Sequence, residues 1–420
     1  MIGTTRTTQA RTALQAARTG MQTPAGRGFV LITAATAAVG FSMAANQNIV
    51  SNYFENELGL SGAQFGYITA IREIPGFLLI FLTALFYRLS LPHLTAGALV
   101  LLAIGYGFFG VSWSFWSVAP WVVISSMGYH TWMQTQAALG MSLTTESKSG
   151  GILGKLAAIS QGGALVAMAF VLIVFHYDWL NYTQTFAICG VLALVAALCI
   201  VRFPHLKDGE VQELKIKREK IVFRKEYGLY YWLSLIDGAR QQIFFSFGLW
   251  VLVDHFRMGV PAISGIMLVT AGMAMVAGPW IGRQIDEQGE RKMLGYVNIA
   301  YIVALLGYAL IDQVHIAVVC YVVYSFIFPL SAMGASVYLR KIAPSNDVAP
   351  SLAMGVTMQH AAAIVVPIVT GFVLNFVGYQ IPFLVASGFA AVAIVITRKL
   401  DPVNQKSAGR LREEAARIIT

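Results

Sequence analysis

Charge is what this chain has least of. Only 12% of its 420 residues are Asp, Glu, Lys or Arg, while 57% are hydrophobic and the mean hydropathy is +0.67. Soluble domains carry about 25% charged residues, so a chain this long lacks the polar surface to stay in water. That excludes a cytosolic enzyme, a secreted disulfide module and a disordered segment. Cysteine is scarce as well. Cys189, Cys199 and Cys320 all fall in apolar runs, with no CxxC pair and no metal-ligand spacing. Neither a disulfide framework nor a metal site is expected. The seven histidines show no HxxxH or HExxH spacing, and no nucleotide-binding loop occurs. No enzyme, no cofactor and no ATP-driven pump is expected.

Apolar sequence, by contrast, is plentiful. Residues 89–145 and 348–397 are free of Asp, Glu, Lys and Arg over 57 and 50 positions. One helix needs about 20 apolar residues to cross about 30 Å of hydrocarbon, so each run must fold back as a pair. Glycine, proline, aromatic and charge punctuation places spans near 28–51, 64–87, 94–112, 118–141, 153–175, 183–202, 228–253, 262–282, 294–311, 315–339, 352–375 and 380–397. An all-α membrane protein with twelve transmembrane helices is expected. The alternating segments of about 10 residues that an outer-membrane barrel needs are absent.

The net charge of +9 makes sense once the charges are located. With those spans, 26 of the 29 basic residues fall on the side that holds both termini. The other side has Arg257, alongside Glu55, Glu57, Asp178, Asp254 and Asp312, while Arg72 and Arg240 lie inside spans. Lys and Arg collect on the cytoplasmic face, so both termini are expected there, in a bacterial inner membrane. The basic excess then answers to the lipid bilayer, and no nucleic-acid partner is expected. The first 27 residues hold Arg6, Arg11, Arg18 and Arg27 with no acid, ahead of an apolar run, which is leader-like. That run is long enough to span, and removing it would invert the charge count. A retained tail is expected.

The longest polar insertion divides six spans from six. The expected organisation is a tail at 1–27, a six-helix bundle at 28–202, a loop at 203–226, a second bundle at 227–398 and a tail at 399–420. Weak similarity links the halves. Asn46-Gln47-Asn48-Ile49 parallels Arg240-Gln241-Gln242-Ile243, and Ser160-Gln161-Gly162-Gly163-Ala164 parallels Met358-Gln359-His360-Ala361-Ala362. With the matching span order, these point to an internal duplication of the kind that builds many secondary transporters.

Between the eighth and ninth spans stands Gly282-Arg283-Gln284-Ile285-Asp286-Glu287-Gln288-Gly289-Glu290-Arg291-Lys292. This stretch resembles the Gly-x-x-x-Asp-x-x-Gly-x-[Arg/Lys]-[Arg/Lys] signature of the major facilitator superfamily. The resemblance implies two pseudo-symmetric six-helix bundles, cytoplasmic termini and a central site reached alternately from either side. It also implies a gating role for Gly282, Asp286, Gly289, Arg291 and Lys292. The glycines permit a tight turn, and Asp286 can meet a helix N-terminus or a cation such as Arg340 or Lys341. The alternative is that Asp286 merely caps a turn. The matching loop after the second span, 84–92, has no Asp, and the fifth span has Gly162-Gly163 without a Gly-Pro pair. No subfamily follows.

A charge at the bilayer centre costs about 2.5–3.5 kcal/mol on insertion scales, so each one there wants a reason. Arg72 and Glu73 lie in the second span, Asp237 and Arg240 in the seventh. Asp237 and Arg240 share a helix face at i, i+3, with Gln241 at i+4. Either they line a central cavity, Arg240 attracting an anionic group while Asp237 carries a proton, or they form a structural ion pair. Arg72 and Glu73 point about 100° apart and need different partners. His130 with Gln134, and Gln359 beside His360, add groups that suit substrate contact or proton coupling. They serve equally as helix-to-helix hydrogen bonds, as does Asn46 with Gln47 and Asn48.

These residues point to a secondary active transporter working by rocker-switch alternating access. Its expected partners are a small solute, to which Arg240 and Arg72 give the character of an organic anion, and a proton or other ion coupled through Asp237 and Glu73. A drug-like efflux permease and a non-transporting sensor or assembly protein of the same fold are the alternatives. The chain is expected to act as a monomer.

Overall fold

The computed structural model describes residues 23–78, 89–144, 149–204 and 223–419; the side chains of 278–282, 285, 286, 332, 375 and 417–419 fall outside that description. All regular elements among the described residues are helical. In chain order they are α1 (Pro24–Asn52), α2 (Gly62–Phe77), α3 (Leu91–Phe109), α4 (Phe115–Met141), α5 (Ser149–His176) and α6 (Tyr182–Val201). After the central loop come α7 (Gly228–Gln242) and α8 (Gly248–Asp254), joined by a π turn at Ile243–Phe247 into one rod. Then follow α9 (Val260–Gln288), α10 (Glu290–Leu310), α11 (Val314–Ile342), α12 (Ser345–Val377), α13 (Gln380–Arg398) and α14 (Ala408–Ile419). These bounds overlie the expected spans. Positions 79–87 of the second span, Arg88, Lys148, most of the central loop and the first 22 residues lie outside the described residues.

Among the described residues, nine helices are long and apolar enough to cross a membrane. Those outside that set are α2, α4, the α7–α8 rod and α14. The first three are the rods that hold Arg72 and Glu73, His130 and Gln134, and Asp237 and Arg240. On these rods Glu73, His130, Asp237 and Arg240 are buried, so a site is sought along them.

Local chemistry sets the helix starts. Thr23 Oγ1 accepts from the Gly26 amide at 3.0 Å, with Pro24 at the first helical position of α1. Capping boxes begin α2 (Ser61 with Gln64), α4 (Ser114 with Ser117) and α6 (Asn181 with Gln184). Each satisfies amides that the first turn leaves without partners, which lipid cannot do. Gly289, at φ +80°, is the single residue between α9 and α10, a backbone region that glycine enters without Cβ strain.

The early helices pack together, α1 on α5 and α6, and α3 on α4 and α6. The later ones do likewise, α10 on α11 and α13, and α7 on α12 and α13. Two seams join the sets: α2 against α12, and α5 against α9. At one end of the rods, here the far end, the seam is tight. A Cβ on Gly371 would lie 2.5 Å from the Gly62 carbonyl oxygen, and one on Gly66 would collide with the Pro367 carbonyl. Phe65 stacks on Trp250 at 4.3 Å, the Asn52 amide donates to the Met258 carbonyl at 2.8 Å, and Arg257 meets Glu55 at 3.1 Å. The opposite end holds the start of α1 and the end of α13, and is the termini end.

The segment after α13, expected as a tail, carries α14. Glu413 accepts from both the amide and the hydroxyl of Ser345 at the start of α12, at 2.9 and 2.5 Å. A carboxylate at a helix N-terminus is favourable, and this one anchors the tail to the bundle.

Candidate functional site

A cavity of about 1120 Å³ lies between the two sets of helices. Its lining includes Asn46, Arg72, Glu73, His130, Gln134, Gln241, Gln359 and His360, which the sequence singled out as cavity groups. It adds Gln47, Gln161 and Gln242, which in the sequence stand out only as span polar groups or repeat positions. At the far end the lining closes on Phe54 and Phe65, both buried. Towards the termini end it runs out to Phe77, Met133, Gln134, Val356 and Thr357, all exposed.

Glu73 is the centre of this space. Arg72 Nε and Nη2 both donate to Glu73 Oε1 at 3.2 Å. The adjacent pair therefore shares a bond, where sequence spacing suggested separate partners; long side chains curl back across the 100° between them. Oε2 faces the other way, 3.4 Å from His360 Nδ1 and 3.9 Å from His130 Nε2. Three helices meet here: α2 supplies Glu73, α4 His130 and α12 His360. Glu73 and His130 are buried, and His360 is half-buried.

Two small residues that the sequence reading did not assign to the site arrange it. Ser126, one turn before His130, bonds the imidazole Nδ1 through both its hydroxyl (3.1 Å) and its carbonyl (3.0 Å). The same hydroxyl donates to the Arg72 carbonyl, tying α4 to α2. Gly76 makes the room: a Cβ there would lie 2.5 Å from His130 Nε2. The glycine after Pro75 thus serves as the seat of the ring.

Asp237 and Arg240 are not part of the cavity lining. Arg240 is fully buried, its Nη2 donates to Asp237 Oδ1 at 2.8 Å and its Nη1 to the Tyr324 hydroxyl at 2.9 Å. The guanidinium carbon sits 3.5 Å from the centre of the Tyr301 ring, and Ser331 donates to Asp237 Oδ2 at 2.6 Å. The pair thus joins α7 to α10 and α11. Gln241, one residue on and about 100° around the helix, is the one that reaches the cavity. A shared face at i, i+3 was right; the face turns away from the solvent-connected space.

In the signature segment, Lys341 Nζ donates to Glu290 Oε2 at 2.7 Å, and Glu290 is buried. Among the described residues, the acid that meets this cation is Glu290. The backbone of Gly282 and Asp286 belongs to α9, and the Asp286 side chain lies outside the described residues. Arg291, Lys292 and Arg340 are exposed at the termini end.

The Major Facilitator Superfamily model matches residues 31–339 and 279–420, and the chain belongs to that family of transporters. It is accordingly an integral, multi-pass membrane protein. Among solved structures it is similar to the nucleoside transporter NupG, with TM-score 0.72, 16% identity, and coverage of 89% of this chain and 98% of that one. A bacterial homologue of the human lysosomal transporter Spinster, inward-facing and occupied, matches with TM-score 0.73 at 11% identity over 90% of this chain and 98% of that one. A D-xylose–proton symporter matches with TM-score 0.68 at 12% identity over 90% and 98%. No curated protein matches.

Proposed function

We propose that this chain is a secondary active transporter that carries a small polar solute through the Glu73 cavity by rocker-switch alternating access. Twelve spans form two six-helix bundles, both termini face the cytoplasm of a bacterial inner membrane, and a single chain is the working unit. The observation that carries this reading is the shape of the cavity. It is polar, lies between the two sets of helices, is sealed at the far end and reaches exposed side chains at the other. The state described is then the one open to the cytoplasm, and the Gly66–Gly371 seam is the closed outer gate.

The solute is read from the lining. Asn46, Gln47, Gln134, Gln161, Gln241, Gln242 and Gln359 each offer both a donor and an acceptor. Such carboxamides suit a neutral, hydroxyl-bearing molecule better than an anion, now that Arg240 is off the lining and Arg72 is engaged by Glu73. The nucleoside and xylose carriers among the fold neighbours handle molecules of that kind. Ion coupling is assigned to Glu73, whose carboxylate links α2 to α4 and to α12 across the seam.

A thermal-shift screen of sugars, nucleosides and carboxylates on the purified protein tests this. A hydroxyl-rich solute is expected to raise the melting temperature, with the gain lost in Gln134→Ala and Gln359→Ala. A gain that survives both substitutions contradicts the assigned site.

A further inference from the structure

Ser126 determines what His130 presents to the cavity. Its hydroxyl gives its one proton to the Arg72 carbonyl, so towards Nδ1 it can only accept, and its carbonyl also only accepts. Nδ1 therefore carries a hydrogen, and the neutral ring offers a lone pair at Nε2. That lone pair shares a small space with Glu73 Oε2 and His360 Nδ1, one donor atom from each residue, all within 4.8 Å of one another. Each of the three can offer an electron pair to the same buried space, and a cation there would engage all of them at once.

We propose that Glu73, His130 and His360 form a three-ligand site for a divalent transition-metal ion in the central cavity. The inference goes beyond the solute-transport reading and does not depend on it. An imidazole held through its other ring nitrogen to a backbone carbonyl is how proteins orient a metal-binding histidine. Two imidazoles and one carboxylate suit Zn²⁺, Co²⁺ or Ni²⁺, whereas Mg²⁺ and Ca²⁺ take oxygen ligands. Bonds of about 2.0–2.1 Å put tetrahedral ligand atoms about 3.3 Å apart. The 3.4 Å from His360 Nδ1 to Glu73 Oε2 already matches; the 3.9 Å from His130 Nε2, and its separation from His360 within 4.8 Å, would have to close on an ion. Arg72 takes the other oxygen of Glu73 and so aims Oε2 into the cluster. Its charge weakens the hold on a cation, which suits an ion that must leave again. The remaining coordination positions face the cavity, and the ion would tie α2 and α4 to α12 across the seam.

The test is titration of tag-free protein in detergent with Co²⁺, followed by its visible absorption, and with Zn²⁺ by calorimetry. One ion per chain is expected, with the intense visible bands of a four- or five-coordinate site and no competition from Mg²⁺. His360→Ala, at the half-buried position, should weaken binding at least tenfold while leaving the melting temperature of the metal-free protein in place. Ser126→Ala keeps all three ligands and loses the hydroxyl that orients one of them; its affinity should fall by roughly 10–100-fold. Absence of saturable binding, or binding unchanged in both variants, overturns the proposal. Either result leaves solute transport untouched, because no solute enters the experiment.

Discussion

Arg240→Ala is expected to cost about 3–5 kcal/mol of stability, because it leaves Asp237 as an unpaired buried charge. The guanidinium is fully enclosed and bonded to Asp237 and Tyr324, and it lies against the face of Tyr301. Among the described residues no other cation meets this carboxylate: Ser331 donates one neutral hydrogen bond to its other oxygen. The variant should give little monodisperse protein and a sharply lower melting temperature. The double replacement Asp237→Leu with Arg240→Met should recover most of the loss, since an apolar pair of similar volume removes both charges together. A stable Arg240→Ala protein that has lost only solute binding would return Arg240 to the cargo site and contradict its placement here.

Glu73→Gln is expected to uncouple the transporter without dismantling it. The amide keeps an oxygen for Arg72 and nearly the same volume, but it cannot alternate between charged and neutral forms. A pH difference of one unit is worth about 1.4 kcal/mol per proton, or about tenfold accumulation of a solute moved with it. Wild-type protein in liposomes should approach that ratio, while Glu73→Gln should let solute equilibrate and accumulate none. A chelator in both arms separates this result from metal binding. Full gradient-driven accumulation in Glu73→Gln would rule the carboxylate out as the coupling group.

The rods were legible in the sequence because lipid imposes a simple demand. Each crossing needs a long apolar run with polar punctuation, so residues 89–145 had to fold back between α3 and α4. The cavity groups stand out in the sequence too, as a Glu, two His and several carboxamides inside apolar helices, although helix-to-helix hydrogen bonds explain such residues equally well. Their grouping does not stand out. Helical spacing says that Asp237 and Arg240 share a face, but only tertiary packing decides that this face meets Tyr301 and Tyr324. Convergence of Glu73, His130 and His360 from three helices leaves no local spacing to read, which is why the absence of HxxxH said nothing about it. The π turn at Ile243–Phe247, inside the α7–α8 rod, and the one at Tyr53–Glu57, which ends the α1 rod, likewise have no sequence mark. Gly76 carries no mark of its role either, because a missing side chain looks the same whether it frees the backbone or admits a neighbour's ring.

Two-sided labelling of Thr357→Cys, in a background with Cys189, Cys199 and Cys320 replaced, tests the alternating cavity most directly. Thr357 is exposed in the lining towards the termini end, so a membrane-impermeant maleimide should reach it readily from that side. The same reagent added at the far side should label it more slowly, and faster when Gly371→Val forces open the close contact with Gly62 and Gly66. Labelling from one side alone under every condition would describe a fixed vestibule, and would contradict a carrier that opens to both faces.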